Sequence, residues 1–478
     1  MGQPAEENYS MTHSLVSRRD ALQHSSVGFG WLAASALLQQ VSPRVYAEHA
    51  EQTIPARARR VIFMFMKGGP SQVDTFDYKP KLNADDGKEL PFAKPRVQFA
   101  PTGNLLGSPW KFQQYGQSGI HVSDLFPHVA KHVDDICFLN SVYGTNAAHG
   151  GAALKLHTGS DTFVRPGMGA WINYGLGCEN QNLPGFITIC PTLAHGGVNN
   201  WGSAFLPAEF QGVPLGVASQ PSTGAQVKFM KNPRWSKAIQ REQIDMLAQL
   251  ANSLPGFSTE TAHDPLLEAR LKSFELAFRM QSEMPPVQDL SGETKETLAL
   301  YGLDNPVTEN FGRQCLLARR FAEVGVRFIQ VTHSDPKVQW DQHGDLLVGH
   351  TEKASEVDKP IAGLLTDLKQ RGLLNDTLVL WGGEFGRTPV AQGKNGRDHN
   401  PDGFTMWMAG GGIKGGIRHG ATDEYGYYAV ENKMHIHDVH ATMLHLLGIN
   451  HLKLTYRHAG RDFRLTDVAG KVHADVLA

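Results

Sequence analysis

The feature that most constrains this chain is residues 60–66, RVIFMFM, which stop abruptly at Lys67-Gly68-Gly69-Pro70. A strand with one wet face alternates polar and apolar residues. A continuous apolar run ending in a glycine turn reads instead as a strand buried on both faces, as in a parallel sheet. The second half of the chain repeats the pattern. Residues 326–332 (VRFIQVT), 377–381 (TLVLW, ending at Gly382-Gly383-Glu384) and 404–409 read as strands. Between them Val357, Ile361, Leu364, Leu365 and Leu368 trace one helical face, closed by Gly372. Ile436, Val439, Met443, Leu444 and Leu447 mark a last helix stopped by Gly448. Residues 136–139 and 184–189 read as further strands, and 124–135 as a polar helix-like segment. Strand–helix alternation predicts an α/β fold over residues 58–470: a mostly parallel sheet flanked by helices on both faces. Residues 235–285 differ in character. Leu247, Leu250, Leu266, Leu267, Leu271, Phe274 and Phe278 recur at helical spacing, which predicts a helical insertion with these side chains as its packing face.

The first residues read as an address. Ser17-Arg18-Arg19-Asp20 precedes a modest apolar run over 27–38, and Val45-Tyr46-Ala47 offers small residues suited to cleavage. This is the twin-arginine export pattern, so residues 1–47 are set apart as a signal and the mature chain is expected in the periplasm or outside the cell. The run is shorter than the ~20 residues a membrane anchor requires. A formal net charge of -2 argues against a nucleic-acid partner, which favours a basic surface. The four cysteines, Cys137, Cys178, Cys190 and Cys315, show no CxxC spacing. They read as buried thiols, with a Cys178–Cys190 bridge as the alternative after export.

Sites on parallel sheets form beyond the carboxyl ends of the strands. Asp74 and Asp77 follow the first run, Asp341 and His343 follow VRFIQVT, Glu384 follows TLVLWGG, and Asp398 with His399 lie in the loop after that. Histidine mixed with carboxylate suits zinc, manganese or iron better than calcium, which prefers an all-oxygen shell. His435, His437, His440 and His445 recur along the last helix and read as its packing or solvated face.

Residues 376–386 (DTLVLWGGEFG), the glycine loop 410–416 and the closing segment 438–448 together resemble the alkaline phosphatase and sulfatase superfamily. GGPSQVDTFD, WDQH, GGEFGRTP and GRDHNPDGF resemble, more narrowly, a secreted sulfatase-like family known as a domain of unknown function. The resemblance implies an alkaline phosphatase-like core and a metal held by Asp341, His343, Glu384 and His399, with Asp74 reaching back to the site. Three departures accompany it. The first strand ends in Gly68-Gly69 where metal-binding Asp is usual, and Phe385 stands where a second ligand is usual. In the nucleophile segment, residues 149–159, His149 takes the place of the modified Cys, Ser or Thr, and Ala153 that of the supporting Arg. His149 is then a metal ligand, an acid–base group or a nucleophile. The implied activity is hydrolysis of a small anionic ester or a sulfated or phosphorylated glycan, with Arg387 and Arg397 clamping the anion. The alternative is a secreted binding or assembly protein that retains the fold without the reaction.

Overall fold

The computed structural model describes residues 54–93, 101–228, 230–253, 265–333 and 339–478. The twin-arginine reading falls on residues 1–47, outside that range. The strands are β1 (Arg60–Met66), β2 (Phe112–Tyr115), β3 (Ile120–Ser123), β4 (Ile136–Tyr143), β5 (Phe186–Ile189), β6 (Val213–Leu215), β7 (Phe328–His333), β8 (Thr377–Gly382), β9 (Gly386–Gln392), β10 (Gly396–Asn400), β11 (Phe404–Ala409) and β12 (Ile417–His419). The principal helices are α1 (His149–Thr158), α2 (Met168–Leu176), α3 (Lys237–Ser253), α4 (Pro265–Gln288), α5 (Glu309–Glu323), α6 (Leu346–Gln370) and α7 (Ile436–Leu446).

The central sheet runs β12–β4–β11–β8–β1–β7–β5–β6, with the short strand Met434–His435 beside β4 as its ninth member. β1 sits mid-sheet, parallel to β7 and β8. Of the nine strands only β11 runs against its neighbours, antiparallel to both β4 and β8, although its sequence looks like the rest. The continuous hydrophobicity of β1 has the expected cause. Ile62, Met64 and Met66 face one core, with α5 and α6 supplying Phe311, Leu316, Val357 and Leu364. Val61, Phe63 and Phe65 face a second core, with Leu156, Trp171, Val439 and Met443 from α1, α2 and α7. Burying each such side chain contributes roughly 1.5–3 kcal/mol, so neither face of this strand tolerates charge.

Four local expectations are corrected. Residues 124–135 form only a short 3-10 helix, Val129–Asp135. Helix α3 turns Leu247 and Leu250 outward, at 39% and 44% exposure, and buries Ile244 instead. Residues 386–400 form an antiparallel hairpin, β9–β10, rather than a loop. All four cysteines are free thiols, and Cys178 is only partly buried. The last-helix histidines do pack: His437 Nε2 and His440 Nε2 lie 2.8 and 2.7 Å from the carbonyls of Gly159 and Leu156. Among the described residues no helix is long and apolar enough to cross a membrane.

Candidate metal centre

The carboxyl ends of β1, β7 and β8 meet the first turn of α1 and the β9–β10 hairpin. His149 opens α1, Asp341 and His343 follow β7, Glu384 directly follows β8, and His399 lies on β10 opposite Arg387. Asp341 is where they converge. Its Oδ1 lies 2.9 Å from His343 Nε2, 3.0 Å from His399 Nε2 and 2.6 Å from Arg387 Nη2. Its Oδ2 lies 3.1 Å from His149 Nε2. His343 Nε2 and His399 Nε2 are themselves 3.0 Å apart.

The far nitrogen of each ring is already taken by an oxygen. His149 Nδ1 meets Glu384 Oε1 at 2.6 Å, His399 Nδ1 meets the Ala147 carbonyl at 2.6 Å, and His343 Nδ1 meets Gln392 Oε1. A neutral imidazole has one N–H, and facing an oxygen acceptor that proton belongs on Nδ1. Three Nε2 lone pairs then point at one carboxylate and crowd each other. Such an arrangement requires extra protons or a cation at its centre. A ring N–H turned outward to oxygen and a bare nitrogen turned inward is also how metal-binding histidines are held.

The electrostatics follow the geometry. Burial disfavours charge on His149, but hydrogen bonds to Asp341 and Glu384 outweigh it and raise its pKa. The Asp341 hydrogen bond raises His343, whereas burial keeps His399 below its ordinary value. Burial would raise Asp341, yet three histidines and Arg387 hold it well below the carboxylate range. Glu384 is 1% exposed, and burial opposes its charge. His149 and the Gly68 N–H, which donates to both carboxylate oxygens at 3.0 and 3.1 Å, lower its pKa all the same.

This explains why β1 ends in glycine. Gly68 has φ +106°, and a Cβ there would lie 2.8 Å from Asp341 N and 2.9 Å from Trp340 N. Backbone atoms cannot yield as a flexible side chain can. Gly68→Ala should therefore cost about 2–5 kcal/mol, adding positive-φ strain to overpacking. The shift in a denaturant midpoint measures it, and a loss under about 1 kcal/mol would show the turn to be slack.

Two candidates lie elsewhere. Asp74 and Arg397 pair with each other, both fully buried, at 2.7 Å (Oδ2–Nε) and 3.1 Å (Oδ1–Nη2). Ser71 Oγ donates to Asp74 Oδ2 at 2.5 Å. The structure thus brings Asp74 to a guanidinium and not to the histidines. Arg387, with no exposed surface, directs its donors to the carbonyls of Gly68, Gly69 and Arg397 and to Asp341. Asp77 is buried beside Lys79 and Thr422. Asp398 Oδ1 accepts from its neighbour's His399 N–H at 2.8 Å and lies 3.9 Å from His343 Nδ1.

Three neighbours escaped the sequence reading. His195 stacks on His149 at 4.8 Å with planes 7° apart, and its backbone has φ +51°. It lies beyond the carboxyl end of β5, so the strand-end rule that selects Asp341 selects it too. Lys67, 7% exposed, directly follows β1 and donates to Gln339 Oε1 at 2.8 Å. Gln392 orients His343 from the hairpin, and nothing in an isolated glutamine announces that.

Among solved structures, the chain is similar to the lipoteichoic acid synthase LtaP of Listeria monocytogenes, at 12% identity and a TM-score of 0.33 over 91% of this chain and 80% of that one. It is similar to the PsFucS1 sulfatase of Pseudoalteromonas sp., at 14% and 0.34 over 88% and 71%. It is also similar to the alkaline phosphatase of the Antarctic bacterium TAB5, at 10% and 0.33 over 82% and 98%. At these values the likeness says nothing of chemistry. No curated protein matches the chain. The family described as protein of unknown function, DUF1501, matches residues 58–477, and this chain belongs to it.

Proposed function

We propose that this chain is a metal-dependent hydrolase of a sulfate or phosphate ester, with His149, Asp341, His343 and His399 holding a divalent cation. The observation that carries the reading is the convergence of three imidazole Nε2 atoms on one carboxylate, each ring steered by an oxygen on its far side. Three nitrogens and one carboxylate suit zinc, manganese or iron better than calcium. A cation bound there supplies polarisation of the ester oxygen and lowers the pKa of a water toward neutrality.

The chain's own groups position and carry protons. Arg387 fixes the Asp341 carboxylate, so its role is orientation rather than anion clamping. Glu384 fixes the His149 ring by accepting a hydrogen bond from its Nδ1–H. With its Nδ1–H on Glu384 and a bare Nε2 toward Asp341, His149 serves as a ligand or acid–base group. Lys67, near enough to His195 to lower the pKa of that ring alongside burial, supplies positive charge for an anionic ester or a sulfated or phosphorylated glycan. The same reading keeps residues 1–47 as a twin-arginine signal and the mature chain as an exported protein.

Elemental analysis of the purified chain tests this. Wild type should hold stoichiometric transition metal, His399→Ala should lose the equivalent bound at this site, and Glu384→Ala should weaken that equivalent by about 10–100-fold as an outer partner. Sulfate and phosphate monoesters screened with that metal should then turn over. Wild type that takes up no metal on dialysis would sink the hydrolase and leave the binding or assembly protein.

A further inference from the structure

A second histidine–carboxylate cluster lies where the C-terminal residues cross the β12 edge of the sheet. His419 ends β12, and His473 and Asp475 belong to the last residues of the chain. One ligand-type atom from each of the three lies within 4.8 Å of the others. His419 Nδ1 is 2.6 Å from Asp475 Oδ2, and the two imidazole rings meet edge to face with centroids 4.8 Å apart. None of these residues belongs to the cluster around Asp341.

Two independent facts point to a missing ligand. Both imidazoles are more than nine-tenths buried, at 4% and 6% exposure, and the Nε2 of each makes no hydrogen bond. A neutral His419 ring is poorly matched, since Nδ1 faces the Asp475 carboxylate and the ring's other polar interaction is a weak one with the Asn432 backbone. A proton on Nδ1 serves Asp475 and leaves Nε2 a buried bare acceptor. A proton on Nε2 leaves Nδ1 aiming a lone pair at a carboxylate. The nearest anion to His473 Nε2 is Asp438 Oδ2, at 3.7 Å, beyond hydrogen-bond distance. Leaving a buried polar atom unmatched costs about 1–3 kcal/mol. The Asp475 side chain, by contrast, is 60% exposed, so the cluster opens to solvent on one side.

We propose that His419, His473 and Asp475 form a second divalent transition-metal site, of the zinc class, that fastens the C-terminal strap to the sheet edge. Two imidazoles and a carboxylate are the donor set such a cation takes, with a fourth position left for solvent. The strap is already docked by its backbone. Lys414 N donates to the Val476 carbonyl at 2.8 Å, Ala478 N to the Gly412 carbonyl at 3.0 Å, and His473 N to Thr442 Oγ1 at 3.2 Å. A cation there adds a side-chain fastening to that backbone seam.

The test uses the full mature chain with Zn²⁺ alone as the probe, titrated calorimetrically, and hydrogen exchange of residues 473–478 as a second readout. Asp341→Asn protein should retain one equivalent of zinc, which separates this site from the proposed catalytic one whether or not that reading stands. Adding Asp475→Asn, an exposed change that leaves the fold intact, should weaken this equivalent by about tenfold or more. It should also abolish zinc-dependent protection of the strap, and His419→Gln should do the same. Zinc affinity and strap protection unchanged by both Asp475→Asn and His419→Gln would overturn the proposal, as would an Asp341→Asn protein that binds no zinc.

Discussion

Asp74→Ala should destabilise the fold by about 3–5 kcal/mol, the cost of leaving a buried charge without its partner, while the metal content of the folded protein stays as in wild type. Both members of the Asp74–Arg397 pair have no exposed side-chain surface, and the contact is two-pronged. Without the carboxylate, the Arg397 guanidinium keeps its place beside the Thr388 carbonyl but has no counter-charge. Adding Arg397→Met should recover much of the loss, because a buried ion pair replaced by apolar side chains often breaks even. Acid provides the control. Burial would raise Asp74, but Arg397 holds it below its ordinary value of 3.8. A depressed carboxylate contributes stability above its unfolded value and loses it as pH falls through the folded one. The stability gap between wild type and Asp74→Ala should therefore close as pH falls below about 4, as read from denaturant midpoints at a series of pH values. A fall in metal content for Asp74→Ala, with the fold intact, would return Asp74 to the ligand set.

Asp341→Asn should weaken metal binding by more than the ~10–100-fold that loss of an outer partner costs, because one carboxylate is the meeting point of all three imidazoles and Arg387. The amide keeps the shape and removes the negative charge. It also turns an N–H₂ toward a ring nitrogen that a cation would otherwise occupy. In wild type, free metal at about one hundred times its Kd should stabilise the fold by about 2.7 kcal/mol. The Asp341→Asn protein should show almost none of that from this site at the same metal concentration. Thermal melts with and without metal decide it. An equal metal-dependent shift in both proteins would show that the cation sits elsewhere.

The legible part of the fold was the part governed by burial. RVIFMFM announces a strand with two dry faces, and β1 has its two sides in two different cores. Direction is not written in hydrophobicity, so the reversed β11 looks like its parallel neighbours. The β9–β10 hairpin stayed hidden because GRTPVAQ and GRDHN are polar and carry a proline, yet they are buried over most of their length. Their polarity is answered by partners far away in the chain. Arg397 bonds Asp74 across 323 residues, and no spacing rule pairs those two. Strand-end reasoning did bring Asp341, His343, Glu384 and His399 to one place. It did not foresee the pairing of Asp74 with Arg397, because a carboxylate after a strand is served equally well by a cation or a guanidinium. Alignment on a neighbouring motif reached His149, which sits on a helix and not at a strand end.

The site joins the early chain to the late chain. Glu384 follows His149 by 235 residues, and His399 closes onto the Ala147 carbonyl across 252. At synthesis rates of about 5–20 residues per second, α1 waits on the order of 10–50 s for the strand that completes its surroundings. No partly made chain can select a cation with this geometry. If the site holds the proposed cation, its identity is decided by the ions available wherever the finished chain first closes its sheet, and not by those present where translation begins.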